Sequence, residues 1–323
     1  MIAFVTGATG FVGSRVARKL RERGDEVVCL VRSPHKATEL EALGCRLVEG
    51  DLSDQAKIRA ALGGCDAVFH LAADYRVGVR PSEHAAMRDA NVGGTQRVID
   101  AAVDAGVKRI VYVSTIAAFG NTRGEVVDEN YEHPGDSYSS EYERTKVEAH
   151  RLAGERIAQG APVIIVQPGG IYGPGDHSAV GAQIEQAAKG KLPAMAFKGT
   201  GLNMVHVDDV ADGILAAHDR GEIGESYVLG GEITTLGHVV ETAARVAGRK
   251  PPRLTLPTAV IKAMVPLAPV VTKAMGVGPN LKEIIAASDG VTYWARDDKA
   301  RRELGYAPRA LEPGLRETIG AGA

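Results

Sequence analysis

Cysteine is scarce in this chain, and neither sign of charge dominates. The 323 residues include only Cys29, Cys45 and Cys65, and the formal net charge is −2. The three thiols lie in or beside apolar runs and lack the spacing of a zinc site, which predicts reduced core cysteines, a reducing compartment and no metal site. The small net charge gives no electrostatic reason to expect nucleic acid as a partner.

Long uninterrupted apolar stretches, internal repeats and low-complexity tracts are also missing from the sequence. The most apolar segment, residues 256–276, is interrupted by Lys262, Pro266, Pro269 and Lys273, so no integral membrane segment is predicted. We expect a lid or a surface packed on the substrate-binding lobe there, with a loose membrane-surface contact as the alternative. The first predicted strand begins at residue 2, which leaves no room for a signal peptide, and we expect a cytoplasmic protein.

The chain opens with the pattern of a dinucleotide-binding loop. Residues 2–5 form a short apolar run, and TGATGFVG follows directly, with a helical pattern from about Phe11. In such a strand–turn–helix unit, glycines allow the tight turn, the close approach of a pyrophosphate and the packing of helix on strand. The start of the helix directs unpaired N–H groups at the phosphates. The residues predicted to contact the cofactor here are Gly7, Thr9, Gly10, Phe11, Val12 and Gly13.

The end of the second predicted strand indicates which dinucleotide binds. Residues 26–31 (EVVCLV) are followed by Arg32, where an NAD-binding unit would carry an acidic residue for the adenosine ribose. An arginine there suits a 2′-phosphate, so NADP is the predicted cofactor and NAD the alternative. A solvated arginine at a strand end is the competing interpretation of Arg32.

Strands alternate with helices six times over about the first 170 residues. This rhythm predicts an α/β fold with a doubly wound parallel Rossmann sheet. We predict a dinucleotide-binding domain over residues 1–170, with a returning segment at about 203–220, and a smaller, mainly substrate-binding lobe over residues 171–323. Within the lobe we expect a strand at 226–229 and a helix at 236–247, and we expect the last segment, residues 298–307, to form a helix that ends at Gly305.

Tyr142 and Lys146 carry the predicted proton-transfer chemistry. They are four residues apart in a helix predicted over 140–159, so both side chains project from one face. A lysine ammonium beside the phenol is expected to lower the tyrosine pKa from about 10 and make it a usable acid or base near neutrality. Such a spacing is common on solvated helices, but here it follows a predicted strand that ends in Ser114 and Thr115.

Eight motifs occur in the order typical of the extended short-chain dehydrogenases/reductases, the NAD-dependent epimerase/dehydratase family. They are TGATGFVG at 6–13, GDL at 50–52, HLAA at 70–73, NVGGT at 91–95, VST at 113–115, YERTK at 142–146, PGGIYGPGD at 168–176 and VHVDDVA at 205–211. The chain resembles this superfamily over nearly its whole length. Within it, the sequence is most similar to the dihydroflavonol-4-reductase-like branch, which includes hopanoid-associated sugar epimerases, at HLAADYR (70–76), GLNMVHVDDVA (201–211) and SYVLGGE (226–232).

The resemblance implies a role for each matching residue. Thr115 would hydrogen-bond the substrate oxygen, Tyr142 would donate or accept the proton, and Lys146 would also hold the nicotinamide ribose. Helices near 86–105 and 140–159 resemble those that pair two subunits, so a homodimer is expected. The other residues implied to contact the cofactor are Arg32 at the 2′-phosphate, Asp51 and Leu52 beside the adenine, Ala72, Asn91, and Pro168, Gly170 and Ile171 along the nicotinamide.

Two departures from the family pattern favour a reductase. Sugar-nucleotide 4,6-dehydratases carry Asp and Glu after the threonine, whereas this chain has Ile116 and Ala117, which cannot transfer protons. Many nucleotide-sugar epimerases place an arginine where this chain has Leu202. The predicted function is NADP-dependent reduction of a carbonyl, or oxidation of a secondary alcohol, on a medium-sized, fairly apolar small molecule. A sugar epimerase that retains its cofactor and a cofactor-binding regulatory protein are the alternatives, and the intact catalytic set argues against the last.

Several other polar side chains invite a metal or acid–base interpretation. We expect His70 and His206 to make structural hydrogen bonds instead. Asp208 or Asp209 is expected to cap the helix that follows. Two tyrosines follow predicted strands of the cofactor domain, and for both contact with substrate and ordinary packing stay open: Tyr75 and Tyr172.

Overall fold

A parallel sheet of seven strands forms the centre of the protein, in a computed structural model that describes residues 1–135, 137–267 and 278–321. The strands of the chain are β1 (Ile2–Thr6), β2 (Glu26–Val31), β3 (Arg46–Glu49), β4 (Ala67–His70), β5 (Arg109–Val113), β6 (Val163–Pro168), β7 (Gly170–Tyr172), β8 (Ala194–Met195), β9 (Gly201–His206), β10 (Ser226–Leu229), β11 (Glu232–Thr235) and β12 (Leu254–Thr255). The central sheet has the order β10–β6–β5–β4–β1–β2–β3. Strands β4 and β6 are apolar except for His70 and Gln167 near their carboxyl ends, because both faces of these strands are buried.

Helices cover both faces of the sheet, so the fold is doubly wound, as predicted. They are α1 (Phe11–Glu22), α2 (Thr38–Ala42), α3 (Gln55–Leu62), α4 (His84–Arg88), α5 (Gly94–Asp104), α6 (Glu141–Ala158), α7 (Ala179–Ala188), α8 (Val207–Arg220), α9 (Leu236–Val246), α10 (Thr258–Ala263), α11 (Leu281–Ala286) and α12 (Leu311–Gly320). A π-turn, Asp89–Gly93, joins α4 and α5 into one helical run. Helices α1 and α8 pack on one face of the sheet, and α3, α5 and α6 on the other. The three cysteines are buried free thiols in these two cores, as predicted.

A smaller lobe is built from later parts of the chain. Its sheet has three strands in the order β11–β9–β7, and β8 pairs separately with β12. The core of the lobe joins residues of α7, α9 and α12, among them Ile184, Val239 and Leu315. Helix α8 lies in the predicted returning segment at about 203–220 and packs with α1 in the core of the central sheet.

One predicted element in this half of the chain needs correction, and one helix was not predicted. Strand β10, expected in the lobe, pairs with β6 and forms an edge of the central sheet. Helix α12 is not among the predicted elements, because Pro313 and Gly314 weaken its helical pattern. The helix expected at 298–307 is present over residues 298–304 and ends at Gly305, whose φ is 64°, as predicted; its Ala300 and Leu304 are buried in the core of the central sheet.

The apolar segment predicted at 256–276 lies outside the described residues from position 268 onward. Its described part contains α10, whose Ile261 is buried in a small cluster with Leu281 and Ile285. In the ranges that the structure describes, no helix is long and apolar enough to span a bilayer.

Candidate active site

The loop between β1 and α1 lies against the backbone that follows β4. Gly7 has a φ of 75°, and a Cβ added to it would lie 2.7 Å from the amide nitrogen of Ala72. A Cβ on Gly13 would overlap the carbonyl oxygen of Gly7, so only glycine lets α1 start this close to the turn. Thr9 and Gly10 are exposed, and no side chain of the described residues caps the start of α1. The loop thus offers exposed backbone at a helix N-terminus, the arrangement that binds a pyrophosphate.

Arg32 and Asp51 follow neighbouring strands, β2 and β3, at the carboxyl edge of the sheet. Both side chains are exposed. Hydrogen bonds from Ser53 lower the pKa of the Asp51 carboxyl, and the positive charge of Arg32 acts in the same direction. Leu52 is half-buried and packs against Gly94, where an added Cβ would lie 2.7 Å from its side chain. The end of the site predicted to hold the adenosine therefore has one exposed cation close to one carboxylate.

Thr115 and Tyr142 bring two hydroxyl groups together at the carboxyl edge of the central sheet. Thr115 follows β5, and Tyr142 lies in the first turn of α6, which Ser140 caps by accepting the N–H of Glu143 at 3.1 Å. Tyr142 is 9% exposed. Burial raises the pKa of the Tyr142 phenol, Tyr75 and Tyr112 add to this effect, and a hydrogen bond with Thr115 acts against it. The phenol therefore stays protonated at neutral pH.

The predicted effect of Lys146 on Tyr142 is wrong for this arrangement. The Lys146 ammonium donates to the carbonyl oxygen of Val113 at 3.2 Å and lies 3.5 Å from the hydroxyl of Tyr112. Burial lowers the pKa of Lys146 to about 8. The desolvation of Tyr142 outweighs any attraction by the ammonium, so the pKa of the phenol is raised rather than lowered.

His70 is the centre of a buried hydrogen-bond chain, which confirms its predicted structural role. Its Nδ1 lies 2.7 Å from the hydroxyl of Thr6, and its Nε2 lies 3.1 Å from that of Thr95. Thr95 donates its own proton to the carbonyl of Asn91 at 2.7 Å, so Nε2 of His70 carries the hydrogen and Nδ1 accepts from Thr6. Burial lowers the pKa of His70 to about 3, with a further contribution from Lys146. The ring is neutral and ties β4 to β1 and α5.

Asn91 lies in the π-turn and is 2% exposed. Its amide nitrogen donates to the hydroxyl of Thr145 at 2.9 Å and to the carbonyl of Asp74 at 3.1 Å, while its oxygen accepts the N–H of Asp74 at 2.6 Å. Thr145 in turn donates to the carbonyl of Tyr142 at 2.9 Å. Asn91 therefore holds the chain after β4 against the helical turn that carries Tyr142.

A buried pair that the sequence analysis missed supports the same helical turn. Nε2 of His133 lies 3.2 Å from a carboxylate oxygen of Glu143, and both side chains are 4% exposed. Nδ1 of His133 accepts the N–H of Gly135 at 2.8 Å, so Nε2 carries the hydrogen and donates to Glu143. Glu143 also accepts the N–H of Ser139 at 3.2 Å. The position of Glu143 directly after Tyr142 is the one signal in the sequence that points to it.

The residues predicted along the nicotinamide follow the carboxyl end of β6. Pro168 ends that strand, and Gly170 and Ile171 open β7. Tyr172 is fully buried and donates to the carbonyl of Leu311 at 3.3 Å, so packing is the correct interpretation of this tyrosine. The side chain of Gln167 is buried, and neither atom of its amide has a hydrogen-bond partner within the described parts of the chain.

The predicted helix cap at Asp208 or Asp209 is wrong. His206 caps α8, and its Nδ1 accepts the N–H of Asp208 at 3.3 Å, while its buried Nε2 has no partner among the residues described. Asp209 pairs with Arg309 at 2.8 Å. His206, Asp208 and Glu317 offer ligand atoms within 4.8 Å of one another. Arginines 309 and 15 already pair with Glu317 and Asp208, which leaves this cluster little negative charge for a cation.

Parallel strands whose carboxyl ends gather a glycine loop, a tyrosine and a lysine are characteristic of dinucleotide-dependent enzymes of the Rossmann type. The chain belongs to the NAD dependent epimerase/dehydratase family, whose model matches residues 3–230. The resemblance to the extended short-chain dehydrogenases/reductases is thereby confirmed, and the protein is an NAD(P)-dependent oxidoreductase or epimerase of that type.

Individual relatives extend over almost the whole chain. One from Synechocystis sp., named after dihydroflavonol 4-reductase, is 32% identical over 98% of this chain and 93% of its own length. The 4-hydroxy-2-methyl-3-oxo-4-farnesyl-3,4-dihydroquinoline-1-oxide ketoreductase of Stigmatella aurantiaca is 33% identical over 96% of this chain and 92% of its own. The crystal structure of gox2253 superimposes with a TM-score of 0.82 and 36% identity, over 99% of this chain and 97% of that one.

Proposed function

We propose that this protein reduces the carbonyl group of a medium-sized, fairly apolar molecule, with NADPH as the cofactor. When bound, NADPH supplies the hydride that adds to the carbonyl carbon. Tyr142 donates its proton to the carbonyl oxygen, and Thr115 orients that oxygen, so the product is the secondary alcohol. The observation that carries the proposal is the hydrogen bond between these two hydroxyls, at the edge of the central sheet where β5 ends and α6 begins.

The surroundings of Tyr142 support an apolar substrate. Its ring clusters with buried Val79 and Met87, and partly buried Val77 and Ala117 pack against this cluster. The ketoreductase from Stigmatella aurantiaca has a farnesyl group in the name of its substrate. We infer that the lobe formed mainly by residues 171–323 completes the substrate-binding cleft.

A nucleotide-sugar epimerase is the competing function, and β9 supports it poorly. Leu202 is half-buried and packs on the core of the lobe. Asn203 is 1% exposed, donates to the carbonyl of Ala295 and accepts the N–H of Gly231 at 2.6 Å. Neither side chain is free to bind a diphosphate, and neither carries positive charge. The buried Ile116 after Thr115 argues in the same way against dehydration.

Cofactor turnover separates the two functions. Incubated with NADPH and a panel of aldehydes, ketones and nucleotide sugars, the protein is expected to oxidise one NADPH for each carbonyl reduced, because a reductase releases NADP after every cycle. Absorbance of NADPH and the configuration of each sugar are followed together, with a reaction lacking carbonyl compound as the control. Inversion of a nucleotide sugar without net loss of NADPH, and without carbonyl reduction, would establish the epimerase instead.

NADPH is expected to bind roughly 10- to 100-fold more tightly than NADH, because a charge-assisted hydrogen bond from Arg32 to the 2′-phosphate contributes about 1.5–3 kcal/mol. Arg32→Asp should narrow or reverse this preference, since a carboxylate repels the phosphate. Titration of both cofactors measures the ratio. Arg46→Asp, an exposed arginine at the amino end of β3, changes the net charge equally and should leave the ratio unaltered. Equal affinities in the unmodified protein would refute the assignment of Arg32.

We also propose that two copies pair through α5 and α6 and that the protein works in the cytoplasm. The two helices lie on the same face of the sheet. An ion pair between Arg156 and Asp100, at 2.6 Å, joins them. The exposed side of α5 includes Val103, which is 44% exposed. Free, buried cysteines agree with a reducing compartment.

A further inference from the structure

Tyr75 is an exposed aromatic side chain beside the predicted proton donor. It is 62% exposed, whereas Tyr142 is 9% exposed. The two ring centroids are 4.9 Å apart, and the ring planes meet at 86°, an edge-to-face contact. Exposed tyrosines are common on protein surfaces and need no explanation alone, but this one touches the ring of the residue to which the carbonyl oxygen is assigned.

Groups from other parts of the chain lie near the hydroxyl of Tyr75. The protein atoms around its hydroxyl raise the pKa of Tyr75, and the nearby carboxylate of Asp176 adds to the shift. Tyr75 also interacts electrostatically with Tyr293, a residue of the C-terminal half of the chain. Tyr75 is thus accessible to solvent while lying near residues from both halves of the chain.

The backbone on both sides of Tyr75 is held firmly. Asp74 exchanges two hydrogen bonds with the amide of Asn91, and Arg76 forms ion pairs with Asp74 and Glu83, each at 2.6 Å. Farther along, the N–H of Asn280 donates to the carbonyl of Gly78 at 2.9 Å. The ring is therefore presented from a fixed backbone, so it loses little conformational freedom when a ligand packs on it.

We propose that Tyr75 determines substrate specificity by packing its ring against an apolar ring carried next to the reacting carbonyl. The carbonyl oxygen at Tyr142 and Thr115 places the substituent of the carbonyl carbon beside Tyr75, because the two tyrosine rings are in contact. The partly buried Val77 and Ala117 extend the apolar surface. This inference rests on the proposed reduction for the position of the oxygen, and it names the chemical class of the substrate.

Three methyl ketones test the inference: acetone, methyl cyclohexyl ketone and acetophenone. With NADPH, Tyr75→Ala is expected to raise KM for both ring-bearing ketones about tenfold, because an aromatic contact and the apolar area that it buries are lost. Turnover at saturation and kcat/KM for acetone should stay within about twofold, since the proton donor is untouched. Tyr75→Phe keeps the ring and should keep KM within about threefold. Val126→Ala, which removes another exposed apolar side chain (44%) from the segment between β5 and α6, should change nothing.

Binding measured without turnover separates this inference from the proposed reaction. Acetophenone is titrated into the protein saturated with NADP, and its dissociation constant should rise about tenfold in Tyr75→Ala but not in Tyr75→Phe. If acetophenone binds in this Tyr75-dependent way and no ketone is reduced, the proposed reaction fails and the role of Tyr75 stands. Equal affinity for the unmodified protein and Tyr75→Ala, no binding at all, or a defect in Tyr75→Phe as large as in Tyr75→Ala would overturn the inference.

Discussion

Tyr142→Phe is expected to lower turnover by roughly 10²- to 10⁴-fold while leaving the affinity for NADPH within about twofold. The substitution removes only the hydroxyl that we propose as the proton donor, and the aromatic ring keeps its contacts with Val79 and Met87. Single-turnover oxidation of NADPH with a reactive ketone measures the chemical step, and a separate titration measures cofactor affinity.

Tyr131→Phe provides the matched control, because it removes a phenol hydroxyl from a ring that packs on Phe119, outside the site. Its turnover should equal that of the unmodified protein. If Tyr142→Phe kept turnover within a few-fold, the proton would have another donor and the assignment of Tyr142 would be wrong.

Lys146→Met is expected to inactivate the enzyme and to stabilise its cofactor-free fold at pH 7. Burial lowers the pKa of Lys146 from 10.5 to about 8, so holding the ammonium inside the folded protein costs about 3 kcal/mol below pH 8. Loss of the hydrogen bond to Val113 offsets about 1 kcal/mol of the gain, which leaves a net increase of about 2 kcal/mol in the free energy of unfolding. Urea unfolding at pH 7 measures it.

The pH dependence of this gain has a definite sign. Between pH 8 and 10.5 the unfolded chain keeps the proton on Lys146 and the folded chain does not, so the unmodified protein gains stability as the pH rises. The net advantage of Lys146→Met should therefore shrink as the pH rises and be lost within this window, because the cost of the buried ammonium exceeds the net gain. Lys108→Met, at an exposed lysine, should shift stability by less than about 0.5 kcal/mol at every pH. A destabilised Lys146→Met variant at pH 7 would show that the ammonium stabilises the fold.

The parts of the site that the sequence predicts are those set by neighbours along the chain. The turn of Gly7 and the close packing at Gly13 follow from a strand, a turn and a helix within thirteen residues. The four-residue spacing of Tyr142 and Lys146 likewise follows from a helix. The buried strands up to β6 and their parallel pairing can be predicted because each strand and the helix that follows it form a local unit.

The parts that the sequence does not predict depend on distant partners. Strand β10 pairs with β6 although residues of the lobe lie between the two strands in the sequence. Nothing in its four residues predicts that pairing. Asp209 has the sequence context of a helix cap, but Arg309, a hundred residues away, takes its carboxylate. The raised pKa of Tyr142 arises from burial, a property of the assembled site that a Y-x-x-x-K spacing does not contain.

Because of the π-turn at Asp89–Gly93, the positions of the site residues depend on the number of residues in this turn as well as on their types. A π-turn accommodates one residue more than regular α-helix, and such insertions occur often at functional sites. Removing that residue would restore α-helical geometry and rotate the positions before the turn by about 100° relative to those after it. Asn91 would then lose its hydrogen bonds to either Asp74 or Thr145. The segment that carries Tyr75 would no longer be linked through Asn91 to the helix that carries Tyr142. A single-codon deletion, with every side chain of the catalytic set intact, would thus uncouple substrate choice from proton transfer.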